Sequence, residues 1–352
     1  MRLYDNEDYQ KDLAYVSQLP IPWDEMHGAT VMISGATGLI GSFLVDVLMR
    51  KNKAEQLACS VLALGRNVEK AKERFDNYWE DNDFHFIFCD ITKNLPEWPG
   101  DVEFIIHAAS NTHPVAYATD PIGTITSNII GTKNLLDFAE EHHTRRFLFL
   151  SSVEIYGENR GDAECFAESY CGYLDCNTLR AGYPESKRAG EALCQAYIRQ
   201  KNMDVIIPRL SRVYGPTLLK DDSKAMSQFI RKALAGEDIA LKSEGTQFFS
   251  YSYVADAVSG ILYCMMYGQC GEAYNIADCA SDITLKDLAH QIADCVGRKV
   301  VFELPDTVES AGYSKATVAI LDSNKLKQLG WHAEYDIYKG IRQTLSILKA
   351  VQ

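Results

Sequence analysis

No apolar run in the chain approaches the roughly 18 to 20 residues that a bilayer span needs. Its opening residues, Met1-Arg2-Leu3-Tyr4-Asp5-Asn6-Glu7-Asp8, are acidic and lack an apolar signal core. A soluble, unexported, cytoplasmic protein is therefore expected. Positive charge is scarce: 35 Lys and Arg stand against 48 Asp and Glu, a formal net charge of -13. That balance disfavours nucleic acid or an anionic membrane as the main partner, and any anionic ligand must find its cations locally. The ten cysteines contain no C-x-x-C pair, and Cys59, Cys89, Cys194 and Cys264 sit in apolar segments where a thiol serves as a small core side chain. A reducing compartment and no metal site are expected. Repeats, low-complexity tracts and long linkers are also missing.

What the 352 residues do contain is an alternation of two periods. Short apolar runs at 30–34, 60–64, 84–89, 104–108, 147–151 and 205–208 alternate with helical stretches such as 39–49, 68–79 and 128–141. This order predicts an α/β fold with a doubly wound parallel sheet covered on both faces. After Pro208 the texture breaks into Gly, Pro and isolated short strands. The expected division is an N-terminal arm over 1–28, with Leu19-Pro20-Ile21-Pro22-Trp23 extended along the body, a sheet domain over 29–208, and a mainly substrate-binding lobe over 209–352 interleaved with the end of the sheet.

The first strand runs into Gly35-Ala36-Thr37-Gly38-Leu39-Ile40-Gly41 and then an amphipathic helix. Glycines in that order allow a tight turn, close approach of backbone to a pyrophosphate, and close helix packing, with the phosphates at the helix N-terminus. The G-x-x-G-x-x-G spacing departs from the usual G-x-G-x-x-G, yet the context is that of a Rossmann-type dinucleotide site. Where the second strand ends, an acidic residue would hold the ribose hydroxyls; the chain has Leu64-Gly65-Arg66-Asn67 instead. Arg66 suits a 2'-phosphate, or stacks on adenine, or is an ordinary loop arginine. Both NAD and NADP stay open as cofactors. Asp90, after the third strand, is placed either for the adenine edge or as a turn residue.

Two further groups carry chemistry. Ser152 and Glu154 follow the fifth strand, two positions apart, where side chains face the ligand crevice of a parallel sheet. Tyr183 and Lys187 lie four apart at the start of a helix and share a face. An adjacent ammonium favours a phenolate and lowers its pKa from about 10, which makes the pair a candidate base toward an alcohol. Taken alone, such spacing also describes a packed tyrosine and a solvated lysine.

Together these motifs resemble the extended short-chain dehydrogenase/reductase superfamily, in its nucleotide-sugar epimerase, dehydratase and decarboxylase branch, from about residue 29 onward. The resemblance rests on the glycine turn, His107-Ala108-Ala109-Ser110, Asn128-Ile129-Ile130-Gly131-Thr132, Ser151 to Gly157, Tyr183 to Lys187, Pro208-Arg209, Val213-Tyr214-Gly215-Pro216 and Tyr253-Val254-Ala255-Asp256. The run from Asp120-Pro121 to Gly131-Thr132 is most similar to UDP-glucuronate decarboxylases and sugar 4,6-dehydratases. The resemblance implies a tightly bound NAD or NADP held by Gly35, Thr37, Gly38, Leu39, Ile40, Gly41, Arg66, Asp90, Ile91, Ala108, Ala109, Ser110, Asn128, Tyr183, Lys187 and Pro208. It further implies catalysis by Ser152, Glu154, Tyr183 and Lys187, substrate contacts at His113, Ser152, Arg212 and Phe249, and a homodimer.

In that family the sugar C4 hydroxyl is oxidised first, and the 4-keto sugar then loses carbon dioxide or water or accepts hydride on its other face. Glu154 matches a dehydratase glutamate acting at C5. Val153 replaces the aspartate of dTDP-glucose dehydratases, and Phe249 stands where relatives carry an arginine. Arg212 replaces a common asparagine and brings a cation nearby. A dehydratase or decarboxylase is therefore expected, with a 4-epimerase, an NADPH-dependent keto-sugar reductase and a non-catalytic dinucleotide-binding scaffold as alternatives.

Overall fold

Runs of β-branched and aromatic residues form the strands, which are largely buried except at the edge strand Phe84–Phe88. The computed structural model describes residues 1–112, 114–303 and 316–352. Strands β1 (Thr30–Ser34), β2 (Ser60–Gly65), β3 (Phe84–Phe88), β4 (Phe104–His107), β5 (Arg146–Phe149), the two-residue β6 (Ser151–Ser152) and β7 (Val205–Leu210) enter one sheet with the strand Ala273–Ile276. Its order is Ala273–Ile276, β7, β5, β4, β1, β2, β3, with every neighbouring pair parallel and β6 beside β7. β1 pairs with both β2 and β4. The strand order reverses there, so the crevice beyond the carboxyl ends of β1 and β4 is where such a sheet binds ligands.

The run expected as one strand over 147–151 is interrupted at Leu150. Its N–H still donates to the His107 carbonyl of β4, while its own carbonyl accepts from Lys187. The helix expected over 68–79 stops at Phe75 and gives way to a tighter turn, Asp76–Tyr78. Ser127–Gly131 forms a π-helical turn that leads into the helix Thr132–Glu141. Strand Ala273–Ile276 lies far beyond Pro208 and completes the edge of the sheet.

In the first 28 residues, the stretch Glu7–Ser17 is a helix, α1, capped by the Asn6 side chain on the Tyr9 amide at 2.9 Å. Leu19 and Ile21 follow as buried coil, and buried Trp23 opens the single turn Trp23–Met26. Helix α1 packs on α2 (Leu39–Glu55), the helix Val254–Tyr267 and the C-terminal helix Ile337–Val351. Its Asp12 accepts from Tyr335 Oη at 2.6 Å, Gln343 Nε2 at 2.9 Å and the Tyr253 hydroxyl, so a buried carboxylate ties the N-terminus to the far end of the chain.

The second lobe centres on strand Phe248–Tyr253, flanked by Arg212–Tyr214, Asp282–Thr284 and Val318–Ala319. Only Ser211 separates β7 from Arg212–Tyr214, so one extended run passes from the main sheet into the lobe. Arg212 is thereby carried to the crevice.

The helix Gly182–Lys201 lies against β5 closely enough that a methyl group at Gly190 would come within 2.5 Å of the Phe149 ring. Overpacking of this kind costs about 1–3 kcal/mol. Gly190→Ala is expected to lower the thermal midpoint and reduce turnover together, checked by calorimetry and steady-state assay; unchanged stability would contradict the contact.

Candidate active site

The crevice is a cleft of about 380 Å³ between the two lobes. One end is built from the glycine turn. Gly35 has φ +70°, and a Cβ there would sit 2.8 Å from the backbone of Ala109; one at Gly41 would sit 2.4 Å from the Gly35 carbonyl. Gly38 caps α2 without a side chain, and the first turn carries no carboxylate. The amides of the first turn, at Leu39, Ile40 and Gly41, therefore have no side-chain acceptor from the cap, an arrangement suited to a pyrophosphate. Gly35, Gly38, Leu39, Ile40, Gly41, Ala108 and Ser110 line the cleft.

The other residues expected around a cofactor are placed less directly. Thr37 lies beside Gly65 at the end of β2. Arg66 is exposed, with no ion pair or hydrogen bond to the described residues. Asp90 accepts from Thr92 N at 3.0 Å and Oγ1 at 2.8 Å, bonds that hold its carboxyl below the usual range, while Ile91 is buried against Gly131. Pro208 is buried within β7 in register with Tyr274 and does not line the cleft; Leu210, Ser211 and Val213, three residues that sequence reasoning passed over, do. His113 lies outside the described residues.

Asn128 is fully buried and belongs to a hydrogen-bond chain rather than to the cleft wall. Ser34 Oγ bonds His107 Nδ1 at 2.8 Å, and His107 Nε2 meets Thr132 Oγ1 at 3.0 Å. Thr132 donates to the Asn128 carbonyl at 2.6 Å, and the Asn128 side chain accepts from Ser110 at 2.8 Å and donates to Ser186 at 2.9 Å. Ser186 in turn donates to the Tyr183 carbonyl at 2.9 Å. Burial, with the Lys187 charge nearby, pushes His107 well below its ordinary pKa, so this chain is a neutral brace between β1, β4 and the helix that carries Tyr183.

Tyr183 and Lys187 are both buried, and the Ser152 hydroxyl lies near enough to the Tyr183 phenol to oppose part of the burial effect on it. Lys187 Nζ donates to the Leu150 carbonyl at 2.7 Å and sits 4.7 Å from the centroid of the Phe149 ring. Loss of solvent dominates both titrations: it pushes the phenol up to about 12 and the ammonium down to about 8. The expected lowering of Tyr183 by Lys187 is thus not produced by these side chains themselves, because the ammonium is directed at a carbonyl and burial outweighs it. At neutral pH Tyr183 is a phenol and Lys187 a cation.

Next to this pair stands a charged group. Glu154 Oε2 accepts from Arg180 Nη2 at 2.7 Å, and Oε1 lies 3.9 Å from Arg212 Nη2. Arg212 stacks 3.5 Å from the centroid of Phe249, and Arg180 lies 4.6 Å from that of Tyr117, which stacks on Tyr183 with centroids 5.0 Å apart. Arg180 and Tyr117 were invisible to motif reasoning. The one available signal was that Arg180 precedes Tyr183 by three residues.

Residues 31–277 match the profile of the NAD dependent epimerase/dehydratase family. The chain belongs to that family. UDP-glucuronic acid decarboxylase 3 of Arabidopsis thaliana is 30% identical over 312 residues, covering 88% of this chain and 86% of the relative. UDP-glucuronic acid decarboxylase 1 of Xenopus tropicalis is 32% identical over 235 residues, which cover 67% of this chain and 53% of that one. Among solved structures, the dTDP-glucose 4,6-dehydratase of Streptomyces venezuelae with NAD bound superposes with a TM-score of 0.77 at 22% identity, covering 91% of this chain and 97% of its own. The UDP-glucuronic acid 4-epimerase of Bacillus cereus, in complex with UDP-glucuronic acid and NAD, gives 0.77 at 20% identity over 92% and 100%. This member of the family is an NAD-dependent enzyme with the doubly wound parallel sheet of its relatives, and no helix among its described residues is long and apolar enough to cross a membrane.

With the phenol pushed up to about 12, cofactor-free protein is expected to show no tyrosinate from Tyr183 below about pH 10, the ordinary phenol value. The ultraviolet difference between wild type and Tyr183→Phe across a pH titration checks this. A step near neutrality would contradict it.

Proposed function

We propose that this enzyme converts a nucleotide-activated sugar through a 4-keto intermediate and returns its tightly held NAD to the starting state, with decarboxylation of a UDP-linked uronic acid as the reaction best supported. The observation that carries the reading is the group of half-buried Ser152 with buried Tyr183 and Lys187 on the wall of the dinucleotide cleft. Bound NAD supplies the hydride acceptor. As a phenolate, favoured by the Lys187 cation together with the positive charge that a bound nicotinamide would add, Tyr183 takes the proton of the sugar C4 hydroxyl and becomes a phenol, while Ser152 hydrogen-bonds the same oxygen. The glycine turn and the first amides of α2 hold the pyrophosphate, with Ala108 and Ser110 on the facing wall.

The state of Glu154 favours decarboxylation over dehydration. A dehydratase of the kind expected would use it as a free base at C5, whereas here it is the counter-ion of Arg180 at 2.7 Å. Loss of carbon dioxide from a β-keto acid needs no such base: the C5–C6 bond breaks, its electrons pass to the C4 oxygen, and water protonates C5 later. The names of the relatives support the same choice. A net NADPH-dependent reductase is the second reading, favoured by the exposed Arg66 where an acidic residue would select NAD.

The proposal extends to assembly and location. Ile122, Ile125, Ile129 and Ile130 leave an apolar face exposed along 121–131, which suits pairing with a second copy, and the ten free cysteines suit a reducing cytoplasm. Residues 29–208 serve chiefly the cofactor and 209–352 the substrate.

Purified enzyme is expected to release carbon dioxide from UDP-glucuronate without added cofactor, and Tyr183→Phe to cut turnover by about 10²–10⁴-fold, the usual worth of a general base. A requirement for stoichiometric NADPH, or wild-type turnover in Tyr183→Phe, would contradict the reading.

A further inference from the structure

Three guanidinium nitrogens at the site, Arg180 Nε and Nη1 and Arg212 Nη1, are buried and have no hydrogen-bond partner among the described residues. A buried donor left without an acceptor is destabilising, and more so when it is charged. Such a cluster persists where something else completes it. Charge points the same way. Two guanidiniums face one carboxylate, Glu154, and the second of those contacts is long at 3.9 Å, so the group carries one uncompensated positive charge.

We propose that Arg180, together with Arg212, forms the subsite for a carboxylate on the sugar, and that Glu154 is the resident counter-ion which this carboxylate displaces from Arg180. The inference rests on the nucleotide-sugar reading above and assigns the specificity of that same cleft. Its position is set by two stacked rings. Arg180 lies over Tyr117, and Tyr117 lies on Tyr183, so the cation stands one ring away from Tyr183 and not at the N-terminus of α2, where the pyrophosphate amides are. Arg212 is fixed by the Phe249 ring at 3.5 Å, the position where an arginine is otherwise expected; here an aromatic face orients a guanidinium that arrives from the neighbouring strand. An adjoining pocket lined by Val153, Glu154, Arg180, Arg212 and Ala319 offers room next to the unpartnered nitrogens.

Arg–carboxylate pairing accounts for the selectivity, since a planar guanidinium presents several charge-assisted donors to one carboxylate. A neutral hydroxymethyl group in the same place leaves Arg180 paired with Glu154 and the extra charge unanswered. After loss of carbon dioxide the product has no carboxylate, Glu154 returns to Arg180, and product affinity falls. Arg180 is therefore a specificity residue, while Glu154 sets the threshold for an anion to enter.

The test is calorimetric binding of UDP-glucuronate and UDP-glucose to the NAD-loaded enzyme. Wild type is expected to prefer the uronate by about tenfold or more, a difference of about 1.4 kcal/mol. Arg180→Gln should erase the preference while binding UDP-glucose within about twofold of wild type, Arg180→Lys should restore part of it, and Glu154→Gln should widen it by removing the competing anion. The unchanged hexose affinity serves as the check that the variants are folded; should Arg180→Gln bind neither sugar, the widening in the isosteric Glu154→Gln decides alone. Equal affinity of wild type for both sugars, or a Glu154→Gln preference unchanged or narrowed, would overturn the subsite and leave the nucleotide-sugar reading standing. Wild type that binds neither sugar would overturn both.

Discussion

The chemistry of this protein depends on how closely the helix Gly182–Lys201 lies on the central sheet. Gly190 lets the helix rest on the Phe149 ring, and that distance sinks Tyr183 and Lys187 beneath the surface. Once buried, Lys187 reaches the Leu150 carbonyl, while the Leu150 N–H stays bonded to His107 of β4. Just beyond it, Ser152 ends β6 beside the phenol and the turn that follows brings Glu154 to the arginines. A single close approach thus sets the protonation states and the reach of the site.

Burial has an electrostatic consequence that sequence spacing does not convey. Removing water from a phenol and an ammonium opposes the ionised form of each, so Tyr183 is pushed up to about 12 and Lys187 down to about 8. A site in this condition holds its proton until a further positive charge enters, and a bound nicotinamide brings that charge. The neutral brace through His107, Thr132, Asn128 and Ser186 keeps the backbone of Tyr183 in place throughout, because none of its members has to ionise.

Much of the architecture was legible in the chain because periodicity and punctuation are local. The glycine turn, the parallel strands and the helix bearing Tyr183 follow from residues close in sequence, and each strand expected over 30–108 stands within two residues of its predicted ends. Glu154 shows where local reading stops. Its partner Arg180 lies 26 residues away, and its second partner, Arg212, reaches it from the far lobe. No spacing rule links those three. Helix α1 escaped notice for a related reason: it is fixed by Asp12 bonding to Tyr253, Tyr335 and Gln343, contacts between opposite ends of the chain. Pro208 shows the converse, a motif residue that stays in the sheet while Leu210 and Ser211 meet the cleft.

The central claim is that the Tyr183 group oxidises a sugar alcohol and that the hydride is held only transiently. Rapid mixing of the NAD-loaded enzyme with UDP-glucuronate, followed by the absorbance of reduced nicotinamide, tests it most directly. The account predicts a rise and a fall of that absorbance within one turnover, with no net reduction at the end. A signal that never rises while carbon dioxide is released, or one that rises and stays, would contradict it.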